Sequence, residues 1–142
     1  MKTNKEMLSS ILKTTQMGQI GIRCVENAAV TVEMKKELAA QRREFDAIET
    51  EAHAIAQQRG WRVRELNPAV RTMSELMAKA QLSGGNVDSK IAGMMIQGST
   101  RGIIKGLKNA HQHIHQDERV SALNQRLMDF EEASILRMKP YL

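Results

Sequence analysis

The chain has 142 residues, of which 42% are hydrophobic and 26% charged, as is typical of one soluble globular domain. Aromatic residues make up 3% and proline occurs twice, which argues against a β-sandwich or barrel. Good helix formers dominate instead, so we predict an all-α fold with residues 1–142 as a single domain. Lys and Arg number 21 against 16 Asp and Glu, and the net charge of +5 favours weak, salt-sensitive contacts with anions.

The cysteine content and the N-terminus indicate a compartment. Cys24 is the single cysteine, so an intramolecular disulfide is excluded and a reducing environment is favoured. Residues 1–6 lack the apolar core of a signal peptide. No stretch approaches the ~18 consecutive apolar residues of a membrane span. We expect a cytoplasmic protein that does not enter a membrane.

Two apolar stripes with helical spacing predict a first pair of antiparallel helices. Thr3 and Glu6 form a capping box before the first stripe, Thr31 can cap the second helix, and Gly60 supplies its C-terminal stop. The first stripe comprises Leu8, Ile11, Leu12, Thr15, Gly18, Ile22, Val25 and Ala29. The second comprises Leu38, Gln41, Phe45, Ile48, Ala52 and Ile55.

The second half of the chain predicts one short and two long helices. Asn67 and Pro68 are a start signal for the short helix, Asp88 is a cap for a third long helix reaching about His113, and Asp117 caps a fourth. The short helix is predicted to be amphipathic, with Val70, Met73, Met77 and Ala80 on its apolar face. Met73 and Met77 suit core filling first and a partner groove second. The fourth long helix is predicted to bury Val120, Leu123, Leu127, Phe130, Ser134 and Met138.

These elements predict a four-helix bundle made of two helical hairpins, with the short helix in the long connection between the second and third long helices. A second helix of about 27 residues is roughly 40 Å long. The connection is long enough to cross that length, which would give a bundle with one long crossover. A simple up-and-down bundle with a bulky side element is the alternative.

Glycines within the predicted helices are the least ordinary feature. Each costs about 1 kcal/mol relative to alanine. Glycines spaced about one turn apart clear a strip of helix surface and let another backbone approach closely. We predict such packing between the first and third helices or across a dimer, with a ligand slot as the alternative. The positions are Gly18, Gly21, Gly98, Gly102 and Gly106. Together with ten methionines they favour a homo-oligomer, a dimer first.

Polar side chains near these glycines predict a polar layer inside the bundle. Gln19 belongs to the first helix, and Gln97 and Thr100 belong to the third. Groups of this kind need hydrogen-bond partners when they are buried. Their commoner use is to specify the register of packed helices.

The paired hairpins and inward carboxylates resemble a small ferritin-like four-helix bundle. Four segments carry a narrower resemblance to a bacterial family of such proteins, namely residues 15–18, 44–48, 91–100 and 130–132. The resemblance covers nearly the whole chain, and Met-Ile-Gln-Gly-Ser-Thr at residues 95–100 is its most specific part. It implies an architecture and no particular activity, because none is established for that family.

The ferritin-like template raises the question of a metal. It supplies one Glu from each of two helices and a Glu-x-x-His pair from each of the others. This chain departs from it, because Glu49 and His53 are four apart, Ser134 follows Glu131, and the third helix has no acidic residue from 90 to 115. An incomplete set of Glu26, Glu49, His53 and Glu131 could still hold iron, manganese or zinc. The favoured alternatives are no cofactor and a solvated helix face.

Two further clusters are candidates for surface binding. His111 and His115 have the i, i+4 spacing that chelates zinc or nickel, although histidines at a helix end also complement its dipole. Arg59, Arg62 and Arg64 surround Trp61 and could contact a phosphate backbone, or could belong to a loop pinned onto the bundle.

Enzyme signatures are absent from the sequence. It contains no phosphate loop, dinucleotide fingerprint or Gly-x-Ser-x-Gly elbow, and no histidine neighbours Cys24. We therefore predict a non-catalytic binding or structural module that self-associates. A ferritin-like metal-carboxylate protein and a weak nucleic-acid-binding protein are the alternatives.

Overall fold

A computed structural model describes residues 3–112 and 117–142, of which 83% are helical and none is in a strand. The all-α prediction is confirmed. Five helices and a terminal 3₁₀ turn make up these residues: α1 (Asn4–Val25), α2 (Val32–Arg59), α3 (Ala69–Leu82), α4 (Val87–His111), α5 (Glu118–Met138) and the turn Lys139–Tyr141. Within the described ranges, none of the helices has the length and apolar character needed to span a membrane.

Three of the helices have the N-cap residues that the sequence predicts. The Thr3 hydroxyl accepts from the backbone N–H of Glu6, and the Thr31 hydroxyl does the same for Met34 at the start of α2. Asp117 caps α5 by accepting from two backbone N–H groups. Each cap satisfies donors that the first turn of a helix leaves without a partner.

Asp88 has a different role from the predicted cap. Helix α4 begins at Val87, and the Asp88 carboxylate accepts hydrogen bonds from the backbone of Val30 and Thr31 and from the Thr31 hydroxyl, at 2.7–2.9 Å. Burial raises the pKa of Asp88, but these hydrogen bonds outweigh it and hold the pKa below its ordinary value. The start of α4 is thus fastened to the start of α2. Residues 60–86 must therefore return over the length of α2.

Four arginine–carboxylate ion pairs connect α2 and its C-terminal end to α5 and its N-cap. They run in opposite directions along the two helices, so α2 and α5 are antiparallel. The pairs are Glu37–Arg137, Glu44–Arg126, Glu51–Arg119 and Arg59–Asp117, with N–O distances of 2.5–2.8 Å.

The predicted core stripes of α1, α2 and α5 face the interior, with Gly18 and Phe130 partly buried. The short helix is present as α3, but core filling by its methionines, the favoured use, is not found. Met73, Met77 and Ala80 are exposed and Val70 is partly buried, whereas Ala78 on the opposite face is buried. Helix α3 contacts α1 and α4, with Leu82 at its end packed against the core, whereas Met73, Leu76 and Met77 are exposed to solvent.

Three of the glycines leave space that a neighbouring side chain fills. A Cβ atom added at any of them would overlap that side chain, so the side chain or the helix that carries it would have to move. The pairs are Gly18 with Phe45, Gly102 with Glu131, and Gly106 with Met128. These contacts join α1 to α2 and α4 to α5, which corrects the predicted packing of the first long helix on the third.

No close packing is found at Gly21 and Gly98, so the prediction is wrong for these two positions. A Cβ added at either meets no heavy atom within 4 Å. The contact line on α4 passes through Ser99, Gly102 and Gly106, and Gly98 lies one position off it. Steps of three or four residues also rotate around the helix, so Gly21 falls beside the contact made by Gly18.

Alanine at Gly18 and at Gly21 should have opposite effects on stability. Gly18→Ala would press a methyl group into the buried Phe45 ring and should lower the free energy of unfolding by roughly 1–3 kcal/mol. Gly21→Ala adds a methyl in open space and should raise it by about 0.5–1 kcal/mol through helix propensity. Urea unfolding followed by circular dichroism measures both, and equal effects would contradict the close contact at Gly18.

Candidate functional site

The four candidate metal ligands do not converge. Glu26 accepts from Arg42 at 3.2 Å, and the Glu49 carboxylate accepts from the amides of Gln16 and Gln19 at 3.3 Å. An arginine at a carboxylate competes directly with a metal ion for its oxygens. Both acids are thus engaged by donors at the α1–α2 contact.

The other two candidates have separate surroundings. His53 lies on the surface with its Nε2 atom 3.0 Å from Glu65, and Glu131 is buried against Gly102 of α4. No group of three or more His, Cys, Asp or Glu side chains suited to a metal occurs in residues 3–112 and 117–142. The described residues therefore give no support to the alternative of a metal held by Glu26, Glu49, His53 and Glu131.

Glu131 is the least ordinary of these carboxylates. Its side chain is 3% exposed, and Oε2 has no hydrogen-bond partner among the described residues. Burial raises the pKa of Glu131 to about 8, because a charged carboxylate loses its hydration in the interior. The Oε1 atom of Gln41, also buried, likewise lacks a described partner. Glu131 is thus protonated in the folded protein at neutral pH.

The predicted polar layer is only partly buried. Gln19 is half-buried and donates to Asp46 and Glu49, whereas Gln97 and Thr100 are exposed and the Thr100 hydroxyl donates to its own helix. The prediction for the two α4 residues is wrong, because they lie off the stripe that faces α5. Polar residues that are buried elsewhere are Ser9, Thr15, Gln41, Ser99, Asn109, Asn124, Glu131 and Ser134.

The predicted pair of His111 and His115 lies partly outside the described residues, and Cys24 lies in surroundings that disfavour a reactive thiol. His111 is the exposed last residue of α4, and His115 lies outside the described residues. Burial is the largest effect on Cys24 and raises the pKa of its thiol, with a smaller contribution from Glu75. A thiol with a raised pKa is a poor nucleophile at neutral pH.

A groove of about 970 Å³ lies between the first half of α1, the second half of α4 and the chain segment after α2. Six of its lining side chains are cationic and one, Glu6, is acidic. We call these six the basic groove residues: Lys5, Lys13, Arg62, Arg64, Lys105 and Lys108.

Residues 61–64 form the strap that closes one side of the groove. Trp61 and Val63 pack on the hydrophobic core, while Arg62 and Arg64 between them are exposed. The backbone N–H of Arg64 donates to the Ser9 hydroxyl of α1 at 3.0 Å, which fastens the strap to the helix. This alternation presents both arginines to the groove, as in an extended chain.

Arg59 does not belong to the groove, which corrects its grouping with Arg62 and Arg64. Its guanidinium donates twice to Asp117, at 2.8 and 3.3 Å. The same hydrogen bonds are the largest effect on Asp117 and hold its pKa below the ordinary value. Arg59 therefore ties the end of α2 to the start of α5.

The basic groove residues differ in pairing from the arginines of α2 and α5. None of the six lies within ion-pair distance of an acidic side chain in the described parts of the chain. The arginines between α2 and α5 are instead neutralised by carboxylates in four ion pairs. The net charge of +5 is thus concentrated along α1, the strap and α4.

Sequence reasoning found the strap arginines and missed the four lysines. Lys105 and Lys108 are three apart and share one face of α4, and Lys5 and Lys13 are two turns apart on α1. These spacings could have identified a basic face on each of the two helices. That the two faces meet across one groove depends on the helix pairing, which the spacing alone does not specify.

No family model, curated protein or solved structure matches this chain.

The stability of the fold should fall as Glu131 ionises. Between pH 4.5 and about 8 the folded state keeps a proton that the unfolded state releases, so the free energy of unfolding decreases as pH rises through this range. The full difference is at most roughly 5 kcal/mol. Glu131→Gln removes this cost and should be more stable than the wild type at pH 8, with a flatter pH profile.

Urea unfolding at pH 5 and pH 8 measures this effect. Glu132→Gln is the matched control, because Glu132 is the exposed neighbour of Glu131 on the same helix. Parallel pH profiles for the wild type and Glu131→Gln would contradict a protonated Glu131 in the folded state.

Proposed function

We propose that this protein is a non-catalytic binding module that holds a single strand of nucleic acid by its phosphate backbone in the basic groove. The observation that carries the proposal is the absence of ion pairs at all six basic groove residues among the described residues. Unpaired cations that converge on one groove favour a polyanion.

The shape of the groove favours a chain of phosphates over one small anion. Lys5 and Lys13 are about 12 Å apart along α1 at 1.5 Å per residue, with Lys105 and Lys108 on α4 and the strap arginines also lining the groove. Cations on several elements can contact successive phosphates of one strand. The hydroxyls of Ser9 and Ser10 add hydrogen-bonding groups to the lining.

Weak and sequence-independent binding is expected. Base stacking on aromatic side chains usually supplies affinity for single strands, and Trp61 is packed against the core instead. The affinity would then come mainly from counterion release, which depends steeply on salt. This function belongs in the cytoplasm, where a free thiol such as Cys24 remains reduced.

The proposed scaffold is a four-helix bundle with ferritin-like connectivity. Hydrogen bonds from Gln19 to Asp46 and from Arg42 to Glu26 support an antiparallel α1–α2 hairpin. The four α2–α5 ion pairs and the attachment of Asp88 at the start of α2 support a long crossover through residues 60–86. This arrangement brings the strap beside α1 and α4, where it completes the groove.

Binding of a fluorescein-labelled oligo(U) strand, followed by fluorescence anisotropy, tests the function. If all six cations contact phosphates, log K should fall with log salt concentration with a slope of about −4. Lys105→Gln/Lys108→Gln removes two contacts and should reduce that slope to about −3. Lys36→Gln/Arg43→Gln is the matched control, because it removes two exposed cations of α2 outside the groove.

The control variant should bind as the wild type does. An affinity that is equal at about 50 and 200 mM salt would contradict the proposal, since it excludes counterion release. An equal loss in the control and the groove variant would contradict the location of the site.

A further inference from the structure

The strap and the residues that follow it have few backbone hydrogen bonds. Residues 61–67 belong to no helix, and no backbone–backbone hydrogen bond between described residues involves residues 62–66. Trp61 and Val63 pack on the core and hold the first part of the strap. The part of the segment that begins at Arg64 is instead held by side chains of α1 and α2.

The side-chain amide of Gln16 contacts the two residues that follow the strap. Its Oε1 atom accepts from the backbone N–H of Leu66 at 3.0 Å, and its Nε2 atom donates to the Glu65 carboxylate at 3.1 Å. The same Nε2 atom donates to Glu49 of α2 at 3.3 Å. One partly buried amide of α1 thus fastens two consecutive residues of the segment to the α1–α2 pair.

These contacts also keep an acidic side chain out of the basic groove. Glu65 directly follows Arg64, and its Oε1 atom lies 3.0 Å from Nε2 of His53 as well as 3.1 Å from Nε2 of Gln16. Glu65 is not among the residues that line the groove. A carboxylate inside the groove would repel phosphates and offset a neighbouring cation. Holding Glu65 beside α2 therefore favours the binding of anions in the groove.

Arg64, the last residue of the strap, lies between two attachments to α1. Its backbone N–H donates to Ser9, and the N–H of Leu66, two residues later, donates to Gln16. Ser9 and Gln16 are seven residues apart, so they share one face of α1. Ser9 lines the groove, whereas Gln16 does not. Gln16 would therefore act on a bound strand through the segment that it holds rather than by contact.

We propose that Gln16 is a positioning residue for strand binding, which holds Arg64 at the basic groove by fastening residues 65 and 66 to α1. The proposal rests on the function proposed above. Without this amide, the bond to Ser9 is the one hydrogen bond from α1 that remains on the segment among the described residues. A loop that must be ordered when a ligand binds lowers the affinity, and a loop that is already ordered avoids this cost.

Binding of the labelled oligo(U) strand to Gln16→Met tests this role. Methionine is unbranched like glutamine and removes both hydrogen bonds to the segment. Affinity near 0.1 M salt should fall about fivefold, the contribution of one phosphate contact, and the salt slope should become shallower by about 0.7. Gln19→Met is the matched control, because Gln19 donates to Asp46 and Glu49 and to none of residues 61–66, all of which are described. It should bind as the wild type does.

A double-mutant cycle shows whether Gln16 acts through Arg64. Arg64→Gln removes the cation directly, so it should also weaken binding about fivefold. The variant with both Gln16→Met and Arg64→Gln should bind as Arg64→Gln does, because a positioning residue has no further effect once the group that it positions is gone. A defect elsewhere in the fold would instead add to the loss.

Amide hydrogen exchange of the free protein measures the attachment without nucleic acid. The backbone N–H of Arg64 should exchange severalfold faster in Gln16→Met than in the wild type or in Gln19→Met. Exchange in the middle of α2 should stay the same, which shows that the fold is intact. Gln16→Ala removes the same bonds with a residue of higher helix propensity, and it should give the same results.

Three results would overturn the proposal and leave the function standing. The first is a Gln16→Met variant that binds oligo(U) as tightly as the wild type does. The second is a pair of losses that add in the variant carrying both Gln16→Met and Arg64→Gln. The third is unchanged amide exchange at Arg64. A wild type that does not bind oligo(U) would instead overturn the proposed function, and the role of Gln16 in binding with it.

Discussion

The pairing of carboxylates with arginines between α2 and α5 determines where the excess positive charge of this protein lies. Four of these ion pairs tie α2 to the last helix and its N-cap. Each partly exposed pair contributes at most about 1 kcal/mol to stability, so stability is not their main consequence. Their main consequence is electrostatic, because the cations of α1, the strap and α4 are left without acidic partners in the described residues.

Close helix approach and a buried acid are linked at the α4–α5 contact. Gly102 leaves the space that the Glu131 carboxylate occupies, and burial keeps that carboxylate neutral at neutral pH. A hydrophobic residue of similar size would avoid the desolvation cost. The fold therefore tolerates a destabilising group at a close contact between two of its helices.

Much of the fold could be predicted from the sequence because its signals are local. Three helices are capped by Thr3, Thr31 and Asp117 through hydrogen bonds to residues two or three positions away. The apolar stripes of the long helices are buried, as their spacing indicates. Core filling was the wrong first choice for the methionines of α3, because periodicity identifies an apolar face without saying what covers it. The groove was missed because it depends on side chains that are distant in sequence. Each of the three carboxylates was a plausible ligand by itself. In the structure Glu26 binds an arginine, Glu49 binds two glutamines, and Glu131 is buried against α4.

The shallow attachment of α3 has a consequence for motion. Each long helix buries seven or eight residues, whereas Ala78 alone is buried in α3, all of which the structure describes. Segments with few buried contacts open locally at a small fraction of the global unfolding free energy. Amide hydrogens of α3 will therefore exchange with solvent well before those of α2, and proteases will cleave residues 60–86 while the four long helices are still folded.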